Sequence, residues 1–295
     1  MAERTVHLPV ESRGGAPGRG RLVGRRILVV GGGQLEIGEP DTPVGNGRAI
    51  SILCAREGAK VAVADRNAAS AAATGAMIGK EGGTAHAIVA DVTDEVEINR
   101  MVSEAVAALG GLDGLALNVG IGAGGHWLEG TTAESWDKTF AVNIRSHMLT
   151  LKAALPKLSD AASIVFVSSI AGMTAGSRIP AYDASKAGLF GLCRHVAFEG
   201  ARRAIRANVV APGLMDTSIG RLASRGRPNR FHHAGAAGAP RDRMGNCLCR
   251  AVPVVGREHL HHRTNHRRRR RTGDIVTGSA MTQERHNGCA RFGGC

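Results

Sequence analysis

Between about residues 26 and 211, this chain alternates short apolar segments with longer helical segments, and this alternation restricts its fold more than any other feature. The apolar segments are four to six residues long and rich in Val, Ile, Leu and Ala, as buried strands are. Helices between such strands indicate βαβ units with parallel strands. Because the crossovers are right-handed, we expect a single α/β domain built on a doubly wound parallel sheet.

The strands are predicted at Ile27–Val30, Lys60–Ala64, His86–Ala90, Leu112–Leu117, Ser163–Val167 and Ala207–Ala211. Helices are predicted over about 47–56, 67–79, 93–109, 131–158 (with an interruption) and 181–202. In a doubly wound sheet, ligands bind beyond the carboxyl ends of the strands. The residues that follow each strand are therefore the candidates for a functional site.

The composition indicates a globular domain between two less regular ends. Hydrophobic residues make up 43% of the chain, and no apolar run reaches the roughly 18 residues that a membrane span requires. Residues 1–24 are rich in Gly and Arg and lack the apolar stretch of a signal peptide, which predicts a disordered leader and a cytoplasmic protein. Of the net charge of +13, residues 231–295 contribute +8, with 12 Arg, no Lys and 4 acidic residues.

A glycine-rich turn, Gly31-Gly-Gly33, follows the first strand and leads towards a helix that starts near Gly47. At such a turn, backbone N–H groups and the helix dipole attract a pyrophosphate, and glycine lets it approach closely. On glycine spacing alone, a plain surface loop is an equal alternative. Asp65 ends the second strand, where a carboxylate accepts hydrogen bonds from a ribose diol and repels a 2′-phosphate, which favours NAD over NADP. The adjacent Arg66 is a counter-argument, because its cation could bind that phosphate.

Tyr182 and Lys186 lie four residues apart in a predicted helix, and therefore on one face of it. A phenol has a reference pKa near 10, which is too high for a good base at neutral pH. A neighbouring ammonium group stabilises the phenolate and lowers that pKa. Tyr182 is the only tyrosine in the chain, so it is the one candidate for a phenolic acid/base in carbonyl–alcohol chemistry.

Tyr182-Asp-Ala-Ser-Lys186, with Ser169 13 residues before Tyr182, resembles the active site of the short-chain dehydrogenase/reductase family. Gly31, Gly45 and Gly47 are similar to the family's Gly-x-x-x-Gly-x-Gly turn, with ten extra residues inserted. Asn118-Val119-Gly120, Asn143 and Pro212-Gly213 match further family positions, after strand four, in the following helix and after strand six. The resemblance covers about residues 25–230 and implies a Rossmann fold and a nicotinamide cofactor.

The resemblance also implies a role for each catalytic residue. Tyr182 would transfer the proton, and Lys186 would lower its pKa and bind the nicotinamide ribose. Ser169 would polarise the substrate carbonyl, with Ser168 as the adjacent alternative. Asn143 would hold a water that links Lys186 to solvent.

The cofactor contacts implied by the resemblance come from the turns after the strands and from the catalytic helix. They are Gly31, Gly45, Asn46, Gly47, Asp65, Asp91, Val92, Asn118, Gly120, Tyr182, Lys186, Pro212 and Gly213. For Asp91, a helix N-cap is an equal alternative to the implied adenine contact. No metal ligands are implied.

The function that we expect is NAD(H)-dependent interconversion of a secondary alcohol and a ketone, with a small-molecule substrate and no membrane partner. The alternative from another class is a non-catalytic nucleotide- or nucleic-acid-binding protein that uses the sheet as a scaffold and the basic tail as a contact. Tetramers are common in the family, through surfaces that include elements after strand six. The altered tail of this chain puts that homo-oligomer in question.

Residues 231–295 have no apolar periodicity, but they contain five consecutive arginines, Arg267–Arg271, and most of the His and Cys residues of the chain. Zinc binding through Cys247-x-Cys249 and the histidines is one alternative, although the spacing fits no usual structural site. Electrostatic contact between the arginine run and nucleic acid is another. Such a run is more often a solvated, disordered segment.

The genetic code provides a further interpretation of this tail. Read one base forward, the codons of Met244-Gly245 must encode Trp, because ATG followed by GGN contains TGG. Successive arginine codons of the CGN type then encode only Val, Ala, Asp or Gly. With permitted codons, residues 261–272 can read as a strand ending in Val-Asp-Gly-Gly, the turn found after the last strand of the family. We therefore expect residues 231–295 to be an out-of-frame translation.

The nucleotide sequence tests this interpretation directly. If the frame slipped near Asn229, the forward-shifted frame contains an uninterrupted helix, strand and Val-Asp-Gly-Gly turn after that codon. A forward frame that does not encode these segments would refute the interpretation.

We also expect the chain with its present tail to have low stability and weak or absent activity. A thermal melt and an NADH assay, each compared with a frame-restored protein, measure these two properties.

Overall fold

The computed structural model describes residues 17–38, 43–174 and 177–224. All of them belong to one unit, Met1–Pro253. The predicted tail, 231–295, lies outside the described residues, and so do the zinc and nucleic-acid alternatives proposed for it.

Six parallel strands form one sheet in the order β3-β2-β1-β4-β5-β6. They are β1 Arg26–Val30, β2 Lys60–Asp65, β3 Thr84–Val89, β4 Leu112–Leu117, β5 Leu158–Val167 and β6 Arg206–Val210. The order reverses between β1 and β4, which places a crevice at the carboxyl ends of these two strands. The predicted fold class, a doubly wound parallel α/β sheet of the Rossmann type, is confirmed.

Seven α-helices connect or follow these strands in the described part of the chain. They are α1 Asn46–Arg56, α2 Ala68–Lys80, α3 Glu95–Leu109, α4 Ala133–Phe140, α5 Ser146–Ala154, α6 Pro180–Glu199 and α7 Ser218–Ser224. A single π-helical turn, Ala141–Arg145, joins α4 to α5. This turn is the interruption predicted in the long helix.

The apolar residues of the central strands divide between two cores, because successive side chains of a strand point to opposite faces. Leu28 and Val30 of β1 belong to a core with α3, α5 and α6. Ile27 and Val29 belong to a core with α1 and α2. Burial on both faces explains why β1 is a continuous apolar run rather than an alternating one.

Several predicted boundaries were wrong, and the structure gives the reason for two of them. The helix predicted to reach residue 158 ends earlier, because Pro156 cannot donate an N–H to a continuing helix. Its last residues form a 3₁₀ turn, Leu155–Lys157, and Leu158 already begins β5. The N-cap of α3 is Asp94, which accepts the N–H of Val96, so the helix starts two residues later than predicted.

The prediction of a disordered leader is corrected for residues 17–24, which are ordered against α1. The side chain of Leu22 is buried in the core beside α1 and α2. Glu57 accepts the backbone N–H groups of Arg19 and Arg21, and its carboxylate pairs with the Arg21 guanidinium at 2.6 Å. The hydrogen bond from the Arg21 side chain is the main reason that the pKa of Glu57 falls to about 2. Residues 1–16 lie outside the described part of the chain.

Candidate functional site

The glycine-rich turn is built by the close approach of α1 to the end of β1. Gly31 has φ +78°, a left-handed conformation, and its N–H and that of Gly32 both donate to the Ala64 carbonyl at the end of β2. A β-carbon at Gly47 would overlap the carbonyl oxygen of Gly31. The structure therefore brings Gly31 and Gly47 together on either side of the inserted residues.

The N-terminus of α1 is open towards the crevice. Gly45 is its N-cap residue, with no side-chain cap, and the first turn contains no acidic residue. A β-carbon at Gly45 would come no closer than 3.8 Å to a described heavy atom. A helix N-terminus without an acidic side chain or a side-chain cap suits a phosphate group. Asn46, the first residue of α1, is half-buried.

Asp65 occupies the end of β2 beside this turn. Its carboxylate accepts the N–H of Gly33 at 3.0 Å and that of Asn67 at 3.0 Å. The carboxylate is half-buried and held in place by these bonds, so it presents a fixed negative charge next to the glycine turn. This position suits a ribose diol and opposes a 2′-phosphate.

A polar network beneath the turn was not foreseen from the sequence. The Gln34 N–H donates to the Ser70 hydroxyl at 2.5 Å, and the Gln34 side-chain carbonyl accepts the N–H of Gly45 at 2.9 Å. The buried guanidinium of Arg48 donates to Thr74 at 3.0 Å and lies 3.5 Å from Ser70. This network anchors the start of the insertion to α1 and α2. A ligand that uses the Gly45 N–H has to displace the Gln34 amide.

Asp91 and Val92 follow β3 at the next position along the crevice. Asp91 is not the helix N-cap, which is Asp94, so that alternative is excluded. Hydrogen bonds from the Thr93 N–H and hydroxyl, together with the charge of Arg66, hold the pKa of Asp91 below its usual range. The Val92 side chain is buried in the core, so only its backbone can face a ligand.

Asn118 and Gly120 connect the glycine turn to α6. The Asn118 side-chain amide donates to the Gly31 carbonyl at 2.8 Å. A β-carbon at Gly120 would lie 2.9 Å from the Lys186 ammonium nitrogen. The absence of a side chain at Gly120 thus makes room for Lys186.

Tyr182 and Lys186 share one face of α6, as predicted. The Lys186 ammonium nitrogen lies 5.9 Å from the centre of the Tyr182 ring and donates to the Val167 carbonyl at 2.9 Å. The Lys186 side chain is buried, and this burial lowers its pKa to about 8. Tyr182 is half-buried at the crevice. The structure therefore places a buried cation beside the phenol.

Asn143 lies in the π-helical turn and is fully buried. Its side chain forms two hydrogen bonds with the backbone of Ile121, at 2.8 and 2.9 Å, and donates to the Ser185 hydroxyl at 3.0 Å. Ser185 in turn donates to the Tyr182 carbonyl. Asn143 thus ties the loop after β4 to the first turns of α6. Single π-helical turns frequently occur at functional sites.

The two serines after β5 have different surroundings. The Ser168 side chain is buried and its hydroxyl donates to the Lys186 carbonyl at 2.8 Å. The Ser169 side chain is half-buried, and its oxygen accepts the Ala171 N–H at 3.2 Å, which leaves its own hydrogen for another acceptor. This difference favours Ser169 over Ser168 as the group that can contact a substrate.

Pro212 and Gly213 follow β6 on the far side of Ser169. The Pro212 carbonyl accepts the Ile170 N–H at 2.9 Å. A β-carbon at Gly213 would meet none of the described heavy atoms within 4 Å, so this backbone borders open space. Thr217 and Ser218, which the sequence analysis did not single out, are buried just beyond it at the start of α7.

In the described part of the chain, no three His, Cys, Asp or Glu side chains are placed to hold a metal ion. None of its helices is long and apolar enough to cross a membrane.

Comparison with known proteins gives consistent matches. The family model described as short chain dehydrogenase matches residues 43–227. A 2,5-dichloro-2,5-cyclohexadiene-1,4-diol dehydrogenase of Sphingobium indicum is 36% identical over 201 residues, which cover 68% of this chain and 76% of that protein.

Two solved structures are similar to the chain and carry different cofactors. A short chain dehydrogenase of Burkholderia cenocepacia in complex with NADP has a TM-score of 0.68 and 33% identity, over 81% of this chain and 93% of that one. A 7α-hydroxysteroid dehydrogenase in complex with NADH has a TM-score of 0.61 and 28% identity, over 69% of this chain and 76% of that one.

A pair of glycine substitutions separates the structural and ligand-facing roles of the turn. We expect Gly47→Ala to destabilise the protein by about 1–3 kcal/mol or more, because the new methyl overlaps the Gly31 carbonyl. Gly45→Ala, with room for the methyl, should cost about 1 kcal/mol or less and should instead weaken binding of a dinucleotide. Urea denaturation and a titration with NADH measure the two effects. Equal destabilisation by both substitutions would contradict this assignment.

Proposed function

Because this chain belongs to the short-chain dehydrogenase/reductase family, we propose that it interconverts a secondary alcohol and a ketone with NAD(H) as its cofactor. The family identity makes it an oxidoreductase acting on CH–OH groups. The observation that carries the finer proposal is the burial of the Lys186 ammonium 5.9 Å from the centre of the only tyrosine ring.

Oxidation of a secondary alcohol removes a proton from oxygen and a hydride from carbon. A bound nicotinamide supplies the acceptor for the hydride. Tyr182, as phenolate, takes the proton from the alcohol oxygen, and in the opposite direction the Tyr182 phenol returns it to the alkoxide. The O–H bond of the alcohol breaks while the O–H bond of Tyr182 forms, so proton and charge balance within the site.

Lys186 makes this proton transfer feasible near neutral pH. An ammonium group stabilises the phenolate of Tyr182 and lowers the pKa of the phenol. Since burial lowers the pKa of Lys186 itself to about 8, the side chain is still mostly charged at neutral pH. Its bond to the Val167 carbonyl keeps the charge beside Tyr182.

Ser169 and Asn143 complete the proposed catalytic set. The free hydrogen of the Ser169 hydroxyl can be donated to the substrate oxygen and so polarise a carbonyl. The Asn143 side chain is committed to Ile121 and Ser185, and we propose that it positions the loop after β4 and the Tyr182 turn. A water linking Lys186 to solvent would then be held by the Asn143 backbone.

The residues around the α1 N-terminus fit a dinucleotide. Gly45 leaves room for a pyrophosphate, and Asp65 is placed for the adenosine ribose. The Asp91 side chain and the Val92 backbone would border the adenine, with Asn46, Asn118 and Gly120 lining the middle of the crevice. Pro212 and Gly213 would border the nicotinamide. We propose NAD rather than NADP because the fixed carboxylate of Asp65 repels a 2′-phosphate.

The catalytic proposal is tested with Lys186→Met, Tyr182→Phe and, as a control, Lys152→Met, which removes an exposed lysine paired with Glu95. Without the buried ammonium, the phenolate of Tyr182 loses a stabilising charge, so the pH of half-maximal alcohol oxidation should shift upwards. The rate at pH 7 should fall by about 10²–10⁴-fold, and Tyr182→Phe should lose it altogether.

The measurement is NADH formation against pH, on a frame-restored protein if the present tail prevents turnover. Lys152→Met should keep the wild-type profile. Undiminished turnover by Tyr182→Phe would reject the mechanism, and NADH binding without any turnover would favour the non-catalytic alternative.

The cofactor preference is tested with two substitutions that should change the relative binding of NADPH and NADH in opposite directions. Asp65→Asn keeps an oxygen that can accept the Gly33 N–H but removes the charge, so binding of NADPH relative to NADH should improve by about tenfold. Arg66→Gln removes the neighbouring cation and should change the ratio in the other direction. Dissociation constants from cofactor fluorescence give both ratios. An unchanged ratio in Asp65→Asn would show that this carboxylate does not set the preference.

A further inference from the structure

A loop after β4 passes alongside the Tyr182 ring. A β-carbon at Gly122, in this loop, would lie 3.9 Å from the edge of the Tyr182 ring and 3.5 Å from the Ile179 side chain. Ile179 is the N-cap residue of α6. The loop and the residues just before α6 therefore form one wall next to the phenol.

One hydrogen bond between backbone groups and one contact between side chains join the loop to that segment. The Trp127 N–H donates to the Arg178 carbonyl at 2.9 Å, and the Arg178 guanidinium carbon lies 5.6 Å from the centre of the Trp127 ring. Trp127 has φ +64° and Arg178 has φ +68°. Bulky residues rarely adopt this left-handed conformation, and such outliers concentrate at ligand-binding sites.

The wall presents both apolar surface and positive charge to solvent. Trp127 is 62% exposed and Leu128 79% exposed. Among the described residues, no carboxylate lies within ion-pair distance of Arg178. A large exposed apolar surface beside a cation and the catalytic phenol suits a ligand of matching character.

We propose that Trp127 and Arg178 form a substrate-recognition pair that selects alcohols and ketones bearing a planar apolar group and a carboxylate. This rests on the proposed function of Tyr182. The Trp127 ring offers a face for stacking on a planar group. The planar guanidinium of Arg178 matches a carboxylate with two parallel hydrogen bonds while its own face stays on the Trp127 ring.

The test measures binding rather than turnover. Trp136→Phe leaves Trp127 as the only tryptophan of the chain, so quenching of its fluorescence reports ligands at this wall. The probes are 4-acetylbenzoate and its methyl ester, which share the aryl ketone and differ in charge. We expect the carboxylate to bind about threefold to tenfold more tightly than the ester, and this preference to decrease with added salt.

Substitutions then assign the preference to one side chain. In the Trp136→Phe protein, Arg178→Met should bring the ratio of the two dissociation constants close to one, and Arg178→Lys should keep part of it. Arg194→Met, which removes an exposed arginine within α6, should leave the ratio unchanged. Equal binding of the two probes, a preference that survives Arg178→Met, or no quenching by either probe would overturn the proposal.

These outcomes are separable from the chemistry at Tyr182. A carboxylate preference that depends on Arg178, in a protein without turnover, would contradict the proposed reaction but not the recognition pair. Turnover that requires Tyr182 and Lys186, without such a preference, would contradict only the recognition pair.

Discussion

The site depends on keeping an ammonium group inside the protein next to a phenol. Burial of a charge is unfavourable unless polar groups compensate it, and here the Val167 carbonyl at the end of β5 accepts a hydrogen bond from Lys186. Ser168 fixes the same helix turn by donating to the Lys186 carbonyl, and Gly120 leaves the space that the ammonium occupies. Burial still disfavours the charged form of Lys186, and its pKa therefore falls to about 8. A group poised between its charged and neutral forms can respond to the charge on a neighbouring phenol.

Much of this arrangement could be predicted from local sequence. Strands buried on both faces are short apolar runs, so β1 and β4 were identified nearly residue by residue, and a four-residue spacing on a helix was enough to place Tyr182 beside Lys186. Residues that act through long-range contacts gave no such signal. Gln34 reaches Gly45 across the insertion, and Arg19 and Arg21 reach Glu57 from the leader. Nothing in the identity of these side chains reveals their partners.

The choice between Ser168 and Ser169 shows that the sequence distance to Tyr182 is not enough to identify the serine that can contact a substrate. Adjacent residues of a strand end point in different directions, so a count of residues to Tyr182 favours one serine only by analogy. The structure adds a physical distinction, because the Ser168 hydroxyl is committed to the Lys186 carbonyl and that of Ser169 retains a free hydrogen. Likewise, Asn143 was selected by position, but its π-helical turn and its bonds to Ile121 became visible only in three dimensions.

The described sheet ends at β6. The proposed catalytic residues come before this strand, whereas the residues that could cover its free edge come after it. Every proposed catalytic side chain precedes β6, on the π-helical turn, at the end of β5 or on α6. An edge strand offers unpaired backbone groups, which proteins commonly cover or pair. A change of reading frame after Asn229 would therefore leave the proton-transfer pair encoded and alter the residues available to cover β6. Loss of both NADH binding and activity in the present chain would therefore report failure of the fold around the site, because Tyr182 and Lys186 are both retained.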